Sequence, residues 1–200
     1  MAENRGRPFD TDLDRAIITT AKRLLAAKGF EGLTVTEIVG TAGTTRSAFY
    51  RRYKDFIDLV IDIYLHEFPT ALHDHVNTGS LPTDLRAIQE DQLTFFTIPM
   101  VNRGLSGFLG QLRSDDQARQ KFLEIFLQPR RDATKTLIDR AIERKEIEGP
   151  YDSELICDIL TGPFIFRLMI PEIGPLDDNL VAGTVTAALG TLGYTEQPQD

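Results

Sequence analysis

Between Leu33 and Tyr53 two short runs with helical apolar spacing are separated by a break that only a tight turn can make, and no other feature constrains the fold as strongly. Thr34-Val35-Thr36-Glu37 reads as a capping box, the Thr34 hydroxyl accepting from the Glu37 N–H and the Glu37 carboxylate reaching back. Val35, Ile38, Val39 and Ala42 then face inward. Gly43 suits a left-handed turn position, and Thr45 offers a new N-cap for a helix over Arg46–Tyr53. Upstream, Asp10 or Thr11 caps a helix carrying Leu13, Ile17, Ala21, Leu24 and Leu25, stopped by Gly29. Downstream, Asp55 caps a longer helix with Phe56, Leu59, Val60, Ile63 and Tyr64 on its stripe. Two short helices joined by a tight Gly-containing turn make a helix-turn-helix, whose second helix is the one that reads DNA.

Charge supports a division of labour. The 200 residues carry a net −8, which taken alone argues against a nucleic-acid partner. Residues 1–60, however, hold 10 Lys/Arg against 8 Asp/Glu, a balance of +2, whereas residues 61–200 hold 12 against 22, a balance of −10. Local field rather than total charge decides binding. Gly43–Lys54 bears Arg46, Arg51, Arg52 and Lys54 with no acid. The arm before the first helix, Arg5-Gly6-Arg7-Pro8, resembles the core of the AT-hook, in which arginines enter a narrow A·T minor groove; a solvated tail is the competing reading.

Gly29-Phe30, Leu33-Thr34-Val35-Thr36-Glu37-Ile38, Ala42-Gly43-Thr44-Thr45 and Phe49-Tyr50-Arg51-Arg52-Tyr53 together resemble the N-terminal signature of the tetracycline-repressor (TetR) family of transcriptional regulators. That resemblance implies a double-stranded DNA partner, a homodimer on a pseudo-palindromic operator, and release by a small apolar or amphipathic effector. It implies that the second helix enters the major groove and that Tyr50 and Arg52 touch phosphate. With Ala48 and Phe49 assigned to the core, Thr45, Arg46, Ser47 and Tyr50 remain for the groove. Arg46 is the expected base reader, because a guanidinium bonds guanine O6 and N7 in bidentate fashion. The family commonly has a Lys where this chain has Phe56; Lys54 and the backbone N–H groups of the following helix are the expected partial replacement.

Beyond residue 64 the pattern stays helical, so the expected fold is all-α: a three-helix DNA-binding domain followed by a helical effector-binding and dimerisation domain. The expected boundaries are a flexible basic arm over 1–9, the DNA-binding domain over 10–54, the second domain over 55–195 and a flexible tail over 196–200. Stripes place helices around Leu85–Phe96, Ile98–Leu112, Gln117–Glu146 with Pro129 bending or splitting it, Ser153–Ile170 and Asp178–Leu192. Eight of the 12 Phe lie beyond residue 60. Ordinary core explains them, but the resemblance implies an enclosed apolar pocket, for which Phe96, Met100, Phe122 and Phe126 are the candidates. Val181, Val185, Ala188 and Leu192 step along one side of the last helix, and Ile156, Ile159 and Leu160 supply a matching face on the helix before. These seven are the expected dimer contacts, with burial inside the subunit as the competing reading. The stretch Ile147–Arg167 resembles the C-terminal region of one TetR subgroup.

Other chemistries find no footing. His66, His73 and His75 lack metal-ligand spacing, since positions two apart on a helix point to different sides. The lone Cys157 can form no internal disulfide and reads as a small buried hydrophobe. No nucleophile elbow, phosphate-cradling loop or cofactor motif is present, and an enzyme is not expected. No signal segment or membrane span is evident, so the expected compartment is the cytoplasm. The alternative function is a helical ligand- or protein-binding module with weakened DNA binding.

Overall fold

A computed structural model describes residues 11–69 and 76–195, and among these the chain is helical with no strand. The Arg5–Pro8 arm, the 196–200 tail, His73 and His75 lie outside the described residues. Helix α1, Thr11–Lys28, ends where Gly29 takes φ +73°, a conformation costly for residues with a Cβ. Helix α2, Val35–Thr41, starts as expected, with the Thr34 hydroxyl accepting from the Glu37 N–H at 3.2 Å. The return half of the capping box does not form. Glu37 instead takes the Lys28 ammonium at 2.5 Å, a charged donor that outcompetes a neutral backbone N–H. Helix α3, Arg46–Tyr50, is shorter than its expected run to Tyr53, because the N–H groups of Arg52 and Tyr53 both fold back onto the Phe49 carbonyl.

Helix α4, Phe56–Glu67, buries Ile57, Leu59, Val60, Ile61, Ile63 and Tyr64, and a helix apolar around this much of its circumference must lie inside. Helices α5, Leu81–Thr97, and α6, Pro99–Leu112, follow. Helix α6 lies close along α1: a Cβ at Gly104 would sit 3.2 Å from Leu25 and 3.3 Å from the Tyr64 hydroxyl. The helix expected over Gln117–Glu146, with Pro129 bending or splitting it, is divided into α7, Asp116–Phe122, a π-helical turn, Leu123–Leu127, and α8, Gln128–Glu143. Pro129 explains the division, since its ring crowds the carbonyl four residues back and it has no N–H to give. The Gln128 N–H reaches five residues back to the Leu123 carbonyl, which widens the turn. Helices α9, Ser153–Met169, and α10, Asp178–Thr191, complete the chain, joined through a short 3-10 turn at Pro171–Ile173.

One apolar cluster runs without interruption from Ile17, Leu25 and Phe49 through α4 to Phe95, Phe108, Phe126 and Phe164. The three N-terminal helices therefore share a core with the rest. A second cluster joins α5 and α8 to α9 and α10, and it corrects the expected dimer contacts. Ile156, Leu160, Val185, Ala188 and Leu192 are buried in this cluster with Ile159 half-buried against it, and Val181 is buried in the first. The stripe does exist, but α10 spends it on α5. What α9 and α10 present outward is a different set: Leu155, Phe166, Met169 and Ile170, beside the small residues Ala182, Gly183, Ala187 and Gly190.

Candidate nucleic-acid interface and effector cavity

Helix α3 is positioned by its own buried side. Phe49 is fully buried and its ring packs 5.5 Å from Tyr53, while the Thr45 hydroxyl caps the helix by accepting from the Ala48 N–H at 3.1 Å. This leaves Thr45, Arg46, Ser47, Tyr50 and Arg51 exposed together, with Tyr50 52% accessible. The Arg46 guanidinium donates to the hydroxyl of Thr36, exposed at the start of α2. Thr36 was visible in sequence only as part of a capping box, and nothing there pointed to its grip on Arg46.

Two basic residues expected at phosphate are engaged elsewhere. The Arg52 side chain is only 10% exposed, with Nε on the Asp14 carboxylate and Nη1 on the Ala48 carbonyl at 3.1 Å, so it fastens α3 to α1. Lys54 Nζ donates to Gln117 Oε1 at 2.7 Å and so reaches toward α7. Phe56 has a structural job: its half-buried ring lies 5.0 Å from that of Phe30. The start of α4 is not open to phosphate either, because Asp55 Oδ1 accepts from the N–H groups of Ile57 and Asp58 at 2.9 and 3.0 Å.

On the far side of the shared core lies a cavity of about 150 Å³. Phe68, Phe96, Phe122, Phe126, Leu160 and Ile165 give it apolar walls, so three of the four expected lining residues are in place. Met100 is not among the lining side chains; it is 2% exposed and belongs to the packed core. Leu160, expected at a subunit contact, faces the cavity. One wall is polar and internally satisfied: Gln89 donates to Gln92 at 2.9 Å, Gln92 to Thr161 at 2.9 Å, and Thr184 to Gln89 at 2.8 Å. Cys157 also lines the cavity, and burial pushes its thiol up to about 11, which keeps it neutral and unreactive at physiological pH.

A chain with an exposed third helix and an apolar cavity joined by one core is matched over most of its length by known proteins. Residues 17–60 match the family described as bacterial regulatory proteins, tetR family, and residues 75–188 match the tetracyclin repressor-like C-terminal domain. The chain belongs to the TetR family. A relative in Bacillus subtilis, the uncharacterised HTH-type transcriptional regulator YdeS, is 28% identical over 170 residues, covering 85% of each chain. Among solved structures, the TetR family transcription regulator SCO0332 superposes with a TM-score of 0.67 at 23% identity, covering 90% of this chain and 98% of that one. The fatty acid degradation regulator FadR from Bacillus halodurans gives 0.70 at 16% identity, covering 96% and 100%. At such identities the two structures establish the fold, and the TetR assignment rests on the family matches.

The protein is thus a TetR-family helix-turn-helix transcriptional regulator and not an enzyme. Among the described residues no cluster of His, Cys, Asp or Glu could hold a metal, and no helix is long and apolar enough to cross a membrane.

Proposed function

We propose that the protein is a cytoplasmic homodimeric repressor of a pseudo-palindromic operator, released when a small apolar or amphipathic effector fills its cavity. The observation that carries this reading is the pairing of an outward-facing Arg46, Ser47 and Tyr50 with a largely apolar cavity across one continuous core. Arg46 reads a base, while Thr45 and Tyr50 position the helix on the backbone. The second subunit occupies the outer face of α9 and α10, where Leu155, Phe166, Met169 and Ile170 would otherwise remain in water. Two-fold symmetry there makes one surface complement itself and offers two reading helices to half-sites about 34 to 36 Å apart.

Linkage between cavity and DNA runs through α7. Phe122 ends α7 and lines the cavity, and Lys121 next to it pairs with Asp58 on α4 at 2.6 Å. Lys54, just past α3, is tied to Gln117 on the same helix. An effector that moves the π-helical turn therefore pulls on the start of α4 and, with it, on α3. It can relieve DNA binding only through its preference for the DNA-incompetent state, and a few kcal/mol of coupling suffice.

The deciding experiment is selection of sites from random duplex DNA by the purified protein at about 0.15 M salt, where weak non-specific attraction is screened. Enrichment of a two-fold-symmetric motif is expected. A folded dimer that enriches no motif would refute operator binding by the effector-free protein.

A further inference from the structure

Arg130 stands in the wall of the cavity with its side chain buried and its charge unanswered. The residue is 7% exposed, and its guanidinium carbon lies 3.7 Å above the Phe126 ring and 4.9 Å from the Phe68 ring. Nη1 donates to the Phe126 carbonyl, whereas Nε and Nη2 have no hydrogen-bond partner among the described residues. Those two atoms form one edge of the guanidinium, the parallel pair of N–H groups that matches the two oxygens of a carboxylate. Burial pulls the group down to about 10, with no acid contributing, so it stays charged at neutral pH.

Leaving a buried cation without an acidic partner is costly for a fold, and the neighbouring cation in the wall differs in having its charge met, although its Nε is also without a hydrogen-bond partner among the described residues. Arg131 also faces the cavity, but its charge is met by Glu154 at 2.5 Å and Asp158 at 2.9 Å. The amide wall is satisfied, as described above. Among the described residues the cavity therefore carries one guanidinium with no acidic partner, its free donor edge set inside apolar and aromatic walls.

We infer that the cavity takes a small organic monocarboxylate with an apolar or aromatic body, its carboxylate received side-on by Arg130 Nε and Nη2. The charge count selects a monoanion, since a phosphate dianion would bring a second charge with nothing to meet it. The volume, about 150 Å³, is what holds benzene in an engineered apolar cavity, so a body the size of a phenyl ring or a short alkyl chain fits. This inference rests on the effector reading above and specifies its ligand class.

The test titrates benzoate, phenylacetate and hexanoate into the full-length protein by calorimetry, each beside its neutral amide, and repeats the series with Arg130→Met and Arg130→Lys. At least one acid is expected to bind, with its amide weaker by about tenfold or more, the loss of a charge-assisted pair. Arg130→Met should abolish the preference for the acid, and Arg130→Lys, which keeps the charge without the fork, should retain part of it. Amides binding as tightly as acids, acid binding unchanged in Arg130→Met, or no acid binding at all would each overturn the inference. If Arg130→Met does not fold, the Lys variant and the acid-to-amide ratio in the parent still decide. DNA retention measured in parallel separates the two readings. An acid that binds through Arg130 without releasing DNA sustains the ligand class and removes the effector role, while release by neutral compounds alone does the reverse.

Discussion

The guanidinium of Arg52, in the turn after the reading helix, is held by the carboxylate of Asp14 in the first turn of α1. Because both side chains are largely buried, the pair sets how α3 sits on α1 rather than lending charge to the surface. Asp14→Ala and Arg52→Ala are each expected to cost about 1 to 3 kcal/mol in urea unfolding, and the double variant less than their sum. Both should weaken DNA binding. If Arg52 served phosphate, Asp14→Ala would release it and strengthen binding at low salt, so the sign of that one change discriminates.

Arg46 is aimed by a hydroxyl and not by a carboxylate, which leaves its charge available to DNA. Arg46→Ala should lose about 1 to 3 kcal/mol of operator affinity and relax preference at one base pair per half-site. Thr36→Val removes only the positioning contact, so a smaller loss with the same base preference is expected. Site selection with the three proteins checks both; unchanged base preference in Arg46→Ala would remove it from readout.

The outer face of α9 and α10 and the stripe beneath it make separable predictions. Phe166→Asp places a charge on a residue 55% exposed in the subunit, so it should shift sedimentation toward monomer with little loss of subunit stability. Val185→Ala and Leu192→Ala, being buried, should lower stability by about 1 to 4 kcal/mol and leave assembly intact. A Phe166→Asp protein that stays dimeric would move the interface elsewhere.

These contrasts mark where sequence sufficed. Caps and turn residues were legible because their chemistry is local: Thr34, Thr45, Asp55 and Gly43 each act within three or four residues of themselves. Stripes on the last two helices were legible as stripes, but periodicity says that a face is buried and not against what, and α5 took the one expected for a second subunit. Arg52 looked like a surface cation because its partner lies 38 residues earlier. Arg130 was hidden for a related reason. It sits among Gln128, Arg131 and Asp132, polar neighbours that give no local sign of burial, and the extra residue of the π-helical turn rotates α8 by about 100° relative to α7.

Lys22 on α1 and Glu67 at the end of α4 pair at 2.5 Å, and this pair gives stability a defined pH dependence. Burial alone would raise the Glu67 carboxyl, but the Lys22 ammonium and, to a smaller extent, His66 hold it below its ordinary value. A carboxyl depressed in the fold stabilises fully above the unfolded value near pH 4.3, and the contribution fades as pH falls through the lower folded value. Glu67→Gln should therefore be less stable than the parent at pH 7, by about 1 kcal/mol, with the difference shrinking below about pH 4. Thermal unfolding from pH 3 to 7 checks the sign, and a gap that widened toward acid would contradict the pairing.

The Lys121 to Asp58 contact carries the coupling argument to its sharpest test. It joins the helix that ends in the cavity to the helix that follows α3, yet neither side chain lines the cavity or belongs to α3. Lys121→Ala should leave operator affinity within a few fold of the parent and effector binding unchanged, while weakening the reciprocal effect of each on the other. Linkage makes that loss equal from both sides, so operator affinity with and without effector, and effector affinity with and without operator, must shrink by one factor. Undiminished coupling in Lys121→Ala would mean that the cavity reaches α3 by another path, such as the Lys54 to Gln117 contact, the packing of Tyr64 on Phe126, or the α1 to α6 packing through Leu25 and Gly104.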